Sequence, residues 1–299
     1  MLIFRQEFSA DKYAKTLKFV RNPVCYNRPG LNQKPFYEAS SSDSRPYFFE
    51  AILRLPKPRP KIPMTELLFH SESYFKEFQA IVTDVVDGGV VLDRTTFYTG
   101  GGGQPSDSGT LTAGDQEYRV TGVKRTDGKL VHQIAGDLPA AGATVNGLID
   151  WDRRYLLMRT HTALHILCGV VWRDYGALVT GGDMKPGEGR MDFEFENFSA
   201  EFVDELEIKV NAEVAAGRDI HVNNLTRAEA DQIPDLIRTK INLLPLNIQE
   251  IRTIDIHGLD LQADGGTHVA NTREVGVIKV VGHESKGRIN KRIRIALED

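Results

Sequence analysis

From Tyr155 to Tyr175 apolar residues recur with no proline and no glycine until Gly169, a pattern that predicts a helix. A second helix is predicted from Glu201 to Ala216, where Phe202, Leu206, Val210 and Val214 form an apolar stripe of four-residue spacing, the face of a helix packed on a sheet. Elsewhere the pattern favours strands. Phe78 to Val86 and Val90 to Asp93 flank Asp87-Gly88-Gly89, a hairpin signal. Glu117 to Val123, Lys129 to Ile134 and Ala143 to Ile149 add β-rich segments between Gly, Asp and Pro turns, so residues 64–150 read as a small antiparallel β-barrel. Beyond the first helix, Arg190 to Glu196 alternates like a half-buried strand, and Ile220 to Leu225, Ile251 to Ile256, Val275 to Val281 and Lys291 to Leu297 continue the series. The fold class is therefore α+β, with the barrel followed by a second domain, residues 151–299, of helices on a mostly antiparallel sheet. No fixed-period repeat is present.

Residues 1–63 differ from everything after them. They hold eight of the 13 prolines and 12 Lys and Arg against 5 Asp and Glu, a net charge of +7 that leaves −11 for the remainder of a chain whose total is −4. With the serines of residues 40–44 and the run Leu55 to Pro63, this composition predicts a flexible basic extension with one short helix near Ala10 to Val20. Met64-Thr65-Glu66-Leu67-Leu68-Phe69 resembles the start of a folded unit. Residues 1–63 are then either a basic tail for an anionic partner or an over-extended start, and the second is the expectation.

The 299 residues suffice for one large or two ordinary domains, and 41% hydrophobic with 26% charged residues is the balance of a soluble globular protein. The longest apolar segment, Leu156 to Trp172, is interrupted by Arg159, His161 and His165, which excludes a membrane span. The N-terminus has no secretory h-region, and Cys25 and Cys168 form no disulfide framework, so a cytoplasmic location is expected. No protein partner is evident.

The chemistry begins with His161 and His165. At i and i+4 of a helix their side chains stand one above the other, roughly 5–6 Å apart at Cβ, and can grip a divalent metal if other segments complete the shell. Among eight histidines such a pair arises easily by chance, and Thr162 replaces the Glu of the H-E-x-x-H protease pattern. The best outside donors are Asp264 and His268, joined through Gly265-Gly266-Thr267. Cys168, on the same apolar helix, reads as core rather than as a nucleophile, and no Ser-His-Asp order or G-x-S-x-G elbow is present. Gly100 to Gly103 lie ahead of Gln104 in the barrel. Four glycines suit a sharp bend or a close backbone approach, and the absence of a following Lys-Ser/Thr excludes a phosphate-binding P-loop.

Three segments in order, Thr95-Thr-Phe-Tyr-Thr-Gly-Gly-Gly-Gly-Gln104, Met158-Arg-Thr-His-Thr-Ala-Leu-His165 and Gln262-Ala-Asp-Gly-Gly-Thr-His-Val269, resemble the alanyl-tRNA editing family. The likeness is to its freestanding AlaX type with an N-terminal glycine-rich barrel, and it covers roughly Met64 to Asp299. The C-terminal extension of the longer AlaX form is expected to be absent. The resemblance implies a hydrolase that removes a wrong amino acid, chiefly serine and secondarily glycine, from mischarged tRNA(Ala). It implies zinc on His161, His165 and His268, with Asp264 in fourth place where the family more often has Cys. An oxygen donor there loosens the preference for zinc over Mn, Fe or Co. It further implies that Thr95, Gln104 and Thr267 serve catalysis and selectivity, and that Gly101, Gly102, Gly103 and Arg159 contact substrate. Arg153, Arg154, Lys286, Arg288, Lys291, Arg292 and Arg294 are candidate phosphate contacts. Two other readings stay open: a hydrolase of a small ester or amide on the same scaffold, and a non-catalytic tRNA- or metal-binding protein.

Overall fold

A computed structural model describes residues 64–195, 199–240, 244 and 248–298. The extension, its short helix and Cys25 lie outside these residues, as does Glu196 at the end of one expected strand. The chain opens with β1 (Glu66–Leu67) and a 3-10 turn, then enters the barrel strands β2 (Glu77–Val86) and β3 (Gly89–Leu92). Strand β4 (Arg94–Thr95) pairs in parallel with β1. Strands β5 (Gly109–Ala113), β6 (Gln116–Thr126), β7 (Lys129–Ala135) and β8 (Thr144–Ile149) complete a closed barrel in the order β2-β3-β7-β6-β5-β8. All six of its pairings are antiparallel.

Its interior is filled by Val82, Val90, Leu92, Phe97, Leu111, Val120 and Val145. The polar side chains of His132 and Thr95 join them. His132 on β7 is fully buried, its Nδ1 3.3 Å from the Val90 carbonyl and its Nε2 2.8 Å from Thr95 Oγ1. Nδ1–H therefore donates to Val90, and the Thr95 hydroxyl donates to Nε2. Burial lowers the His132 pKa to about 4. Since the unfolded side chain titrates near 6.5, the neutral native form contributes stability above that pH and loses it as the pH falls toward 4, at about 1.4 kcal/mol per pH unit. Melts of the wild type and His132→Gln at several pH values check this: the stability difference between them should shrink between pH 6.5 and 4.

Helix α1 (Trp151–Tyr175) follows directly. The Asp150 carboxylate caps it by accepting from the Arg153 amide at 3.4 Å, and Gly176 ends it in the left-handed region at φ 63°. Buried residues run almost continuously from Leu157 to Val171, the signature of a helix surrounded on all sides. It is wrapped by β9 (Val179–Lys185), β10 (Glu188–Glu194), α2 (Ala200–Ala216) and, after β11 (Ile220–Thr226), the short α3 (Arg227–Ala230) and β12 (Glu250–Ile256), by β13 (Asp260–Ala263). Strands β14 (Val277–Ser285) and β15 (Asn290–Glu298) close the chain. The strands form two antiparallel sheets, β14-β15-β10-β9 and β11-β12-β13.

The α+β expectation is met, with two sheets in place of one. The α2 stripe is core as expected: Leu206, Val210 and Val214 are buried and Phe202 packs against them. Strands β5, β9 and β13 were not anticipated, because they are short or, in β9, broken by Gly181 and Gly182. Val275 belongs to a 3-10 turn, Thr272–Val275, rather than to the strand expected to begin there. Barrel and helical layer lie within one compact unit. One tie between them is Arg154, whose side chain is entirely buried. Its guanidinium pairs with Asp107 through Nε at 2.9 Å and through Nη2, and donates to the carbonyls of Ser73 at 3.0 Å and Thr96 at 2.6 Å. Arg154 is thus a structural cation and is withdrawn from the candidate phosphate contacts.

Candidate metal and editing centre

His161, His165, Asp264 and His268 are all buried and offer ligand atoms that lie within 4.8 Å of one another. Helix α1 supplies the first two, and the ring centroids of the three histidines are 4.2 to 5.0 Å apart. The other two come from the bend after β13, where Gly266 N–H donates to Asp264 Oδ2 at 2.6 Å and folds the segment back on itself. A Cβ on Gly266 would lie 2.3 Å from His161 Cε1. Only glycine lets this backbone approach the imidazole so closely.

The ring nitrogens divide into two sets. His161 Nδ1 is 3.0 Å from Gln104 Oε1, His268 Nδ1 is 3.1 Å from Thr162 Oγ1, and His165 Nδ1 faces Asp260 Oδ2 at 3.6 Å. On the other side, His161 Nε2 is 3.7 Å from Asp264 Oδ1 and His268 Nε2 is 3.1 Å from Asp264 Oδ2. Burial holds His161 well below the ordinary imidazole range and brings His268 to about 4, so both rings are neutral at pH 7. Burial alone would raise Asp264, but its contacts with His161 and His268 hold its carboxyl well below the usual carboxylate range.

Neutral imidazoles and a carboxylate are the protonation states a divalent ion requires. Donors about 2.1 Å from a tetrahedral ion stand about 3.4 Å apart, close to both Asp264 separations. His161 Nε2 and both nitrogens of His165 also have no hydrogen-bond partner despite full burial. Buried polar atoms are seldom left so, and a metal ion would satisfy the two Nε2 atoms at once. The residues fit the ion.

Gln104 joins the three segments. Its Oε1 takes both the His161 Nδ1–H and the Thr267 amide, at 3.0 and 3.1 Å, while its Nε2 donates to Thr267 Oγ1 at 2.8 Å. The preceding glycines form an ordered turn. Gly100 to Gly103 all have positive φ, from 59 to 137°, and Gly101 and Gln104 exchange backbone hydrogen bonds of 2.9 and 3.0 Å. Such a run is open to glycine alone. Met184 N–H docks the turn on β9 by donating to the Gly103 carbonyl at 3.3 Å.

Thr95 and Arg159 are placed differently. The Thr95 hydroxyl is engaged by His132 and by the Phe97 amide at 3.1 Å, and so faces the barrel interior. Arg159, about 200° around the helix from His161, donates through Nε to the Val275 carbonyl at 3.1 Å. Four contacts or side chains could not be singled out from the sequence: Thr162 beneath His268, Asp260 beneath His165, the pairing of Arg154 with Asp107, and a buried, unpartnered hydroxyl on Thr96. One signal was there to be read. Asp260, Gln262 and Asp264 alternate with Leu261 and Ala263, which sets three polar side chains on one face of a short strand. Cys168 is core, its thiol pushed up to about 12 by burial.

Residues 65–153 match the family described as tRNA synthetases class II (A), and residues 251–294 match the second additional domain of threonyl and alanyl tRNA synthetases. The alanyl-tRNA editing protein AlaX-M of Methanosarcina barkeri is 37% identical over 243 residues, which is 79% of this chain and the whole of the relative. This chain belongs to the AlaX-M family of alanyl-tRNA editing proteins. The AlaX-M protein of Saccharolobus solfataricus agrees, at 40% identity over 77% of this chain and 98% of the relative. The alanine–tRNA ligase of Pyrobaculum aerophilum is 39% identical over 73% of this chain but only 25% of its own length, so the AlaX-M fold corresponds to one section of that enzyme. Membership makes the protein an aminoacyl-tRNA deacylase, a hydrolase of the ester that joins amino acid to tRNA. No helix among the described residues is long and apolar enough to cross a membrane.

Proposed function

We propose that the protein hydrolyses mischarged tRNA(Ala) in trans, Ser-tRNA(Ala) chiefly and Gly-tRNA(Ala) secondarily, at a centre that holds one divalent metal, zinc in the first place, with Mn, Fe or Co as alternatives. The observation that carries this reading is the convergence of His161, His165, His268 and Asp264 beneath a turn anchored by Gln104. An aminoacyl ester is already activated, so hydrolysis needs a placed water and a stabilised oxyanion more than a strong nucleophile. When bound, the metal supplies a Lewis acid for the ester or its terminal ribose. Gln104 and Thr267 hold His161 and the Asp264–His268 bend at fixed separation, and the turn through Gly101, Gly102 and Gly103 gives the substrate a close backbone wall. Arg159 acts from the side, by fixing the turn that follows Thr272 to Val275.

Preferring Ser-tRNA to Ala-tRNA calls for a contact with the serine hydroxyl, and a site built to bond a hydroxyl can reject its absence by roughly 10⁴-fold. Thr95 serves this selectivity by setting the strand that leads into the glycine turn, its own hydroxyl committed to His132. Deacylation of Ser-, Gly- and Ala-charged tRNA(Ala) by the metal-loaded protein is the test. Ser-tRNA should be cleaved and Ala-tRNA spared, and Thr95→Val should lower the Ser-to-Ala preference about tenfold or more. An unchanged preference would remove Thr95 from selectivity.

One observation favours the small-ester reading. Most cations of the basic C-terminal stretch already have a partner within the protein: Arg292 pairs with Asp192 at 2.7 Å, the surface residues Arg294 and Lys286 share Glu284 at 2.7 and 3.1 Å, and Lys291 is buried against backbone carbonyls. Arg288 remains exposed. A serine ester lacking tRNA, included in the same assay, separates the readings, because the editing reading requires it to be a poor substrate.

A further inference from the structure

Asp260 is as buried as the candidate ligands, and nothing in the motif that contains Asp264 calls for it. Its Oδ2 lies 3.6 Å from His165 Nδ1, its Oδ1 lies 3.4 Å from Arg238 Nη2, and Gln262 Nε2 donates to Oδ2 at 2.5 Å. Gln262 also reaches Cys168 Sγ at 3.3 Å, and the Arg238 guanidinium sits 4.7 Å over the Trp172 ring. Space for the carboxylate comes from Gly169, one helical turn beyond His165 on α1, where a Cβ would lie 2.9 Å from Asp260 Cβ. His165 Nδ1 and Asp260 Oδ1 both lack a hydrogen-bond partner. A ring rotation of a few tenths of an ångström would bring the facing Nδ1 and Oδ2 atoms to hydrogen-bonding distance.

We infer that Asp260 is a positioning residue for the metal centre: it takes the Nδ1–H of His165, which fixes the tautomer with Nε2 toward the ion and strengthens that nitrogen as a donor. The inference rests on the metal-dependent reading proposed above. His161 and His268 already have neutral acceptors, the Gln104 amide and the Thr162 hydroxyl, on the same side of their rings. On that side His165 alone faces a carboxylate, whose other oxygen lies toward Arg238. Outer partners of this kind commonly alter metal affinity by about 10–100-fold when removed.

The test compares Zn²⁺ and Co²⁺ affinities, by competition with a chromophoric chelator, for the wild type, Asp260→Asn and Arg238→Gln. Asp260→Asn should weaken both ions by about 10–100-fold and shift the visible absorption of the Co²⁺ form. Arg238→Gln keeps the carboxylate and should stay within about threefold of the wild type while melting lower. Equal affinities for the wild type and Asp260→Asn, or equal losses in both variants, would reduce Asp260 to a partner of Arg238 and overturn the inference. A wild type that takes up neither ion would instead remove the metal-dependent reading itself. Imidazole ¹⁵N spectra of the Zn²⁺-loaded wild type need no variant: Nδ1 of His165 should be protonated and slow to exchange, and the opposite tautomer would also overturn the inference.

Discussion

His161→Ala should abolish stoichiometric metal binding and lower deacylation of Ser-tRNA(Ala) by at least about 10²-fold, because a bound metal supplies several kcal/mol of transition-state stabilisation. The substitution removes one of four converging donors and strips Gln104 Oε1 of the Nδ1–H it accepts at 3.0 Å, so the turn through Gly101 to Gly103 loses its tie to the helix as well. Elemental analysis of the purified variant beside kcat/KM gives the decisive pair of numbers. Full metal content together with full activity would refute the assignment of this centre.

The largest loss of stability should come from Arg154→Met. Removing one member of a buried ion pair costs about 3–5 kcal/mol, because the partner is left charged and unpaired. Here Asp107 would be left buried with only the Tyr98 amide, at 2.7 Å, as a donor, and the carbonyls of Ser73 and Thr96 would lose theirs. For a unit of this size the melting temperature should fall by about 10 °C or more. The double variant Arg154→Met with Asp107→Leu should recover part of that loss, as expected when a pair is removed together. If the double variant melted no higher than the single one, the cost would lie in packing and not in the stranded charge.

The parts of the molecule that obey a period could be read from the residues. The α1 histidines at i and i+4, the α2 stripe and five of the six barrel strands all fell where the hydrophobic pattern put them. The three motifs marked the segments that meet at the centre, and Gln104, Thr267, His161, His165, Asp264 and His268 do meet there. What could not be read depends on approach rather than on pattern. Neither the direction of the Thr95 hydroxyl nor the burial of Arg154 follows from residue type, because each is decided by a partner, His132 or Asp107, on a different segment. A basic run near the C-terminus suggested a surface for phosphates, and the pattern could not show that two of its arginines, Arg292 and Arg294, pair with Asp192 on β10 and Glu284 on β14.

The span of chain that the centre bridges bears on how the protein comes into being. Thr162 and His268 touch across 106 positions, and Gln104 and Thr267 across 163. Contacts this distant in sequence form slowly, because a long loop must close before they return any free energy. During synthesis the barrel and α1 can take shape while the bend that carries Asp264 is still untranslated, so the last candidate donors reach the histidines only after about a hundred more residues have been added. Ion capture at the proposed centre would then have to wait for that bend, and a chain truncated before Asp264 would hold both helix histidines yet lack the other two candidate donors.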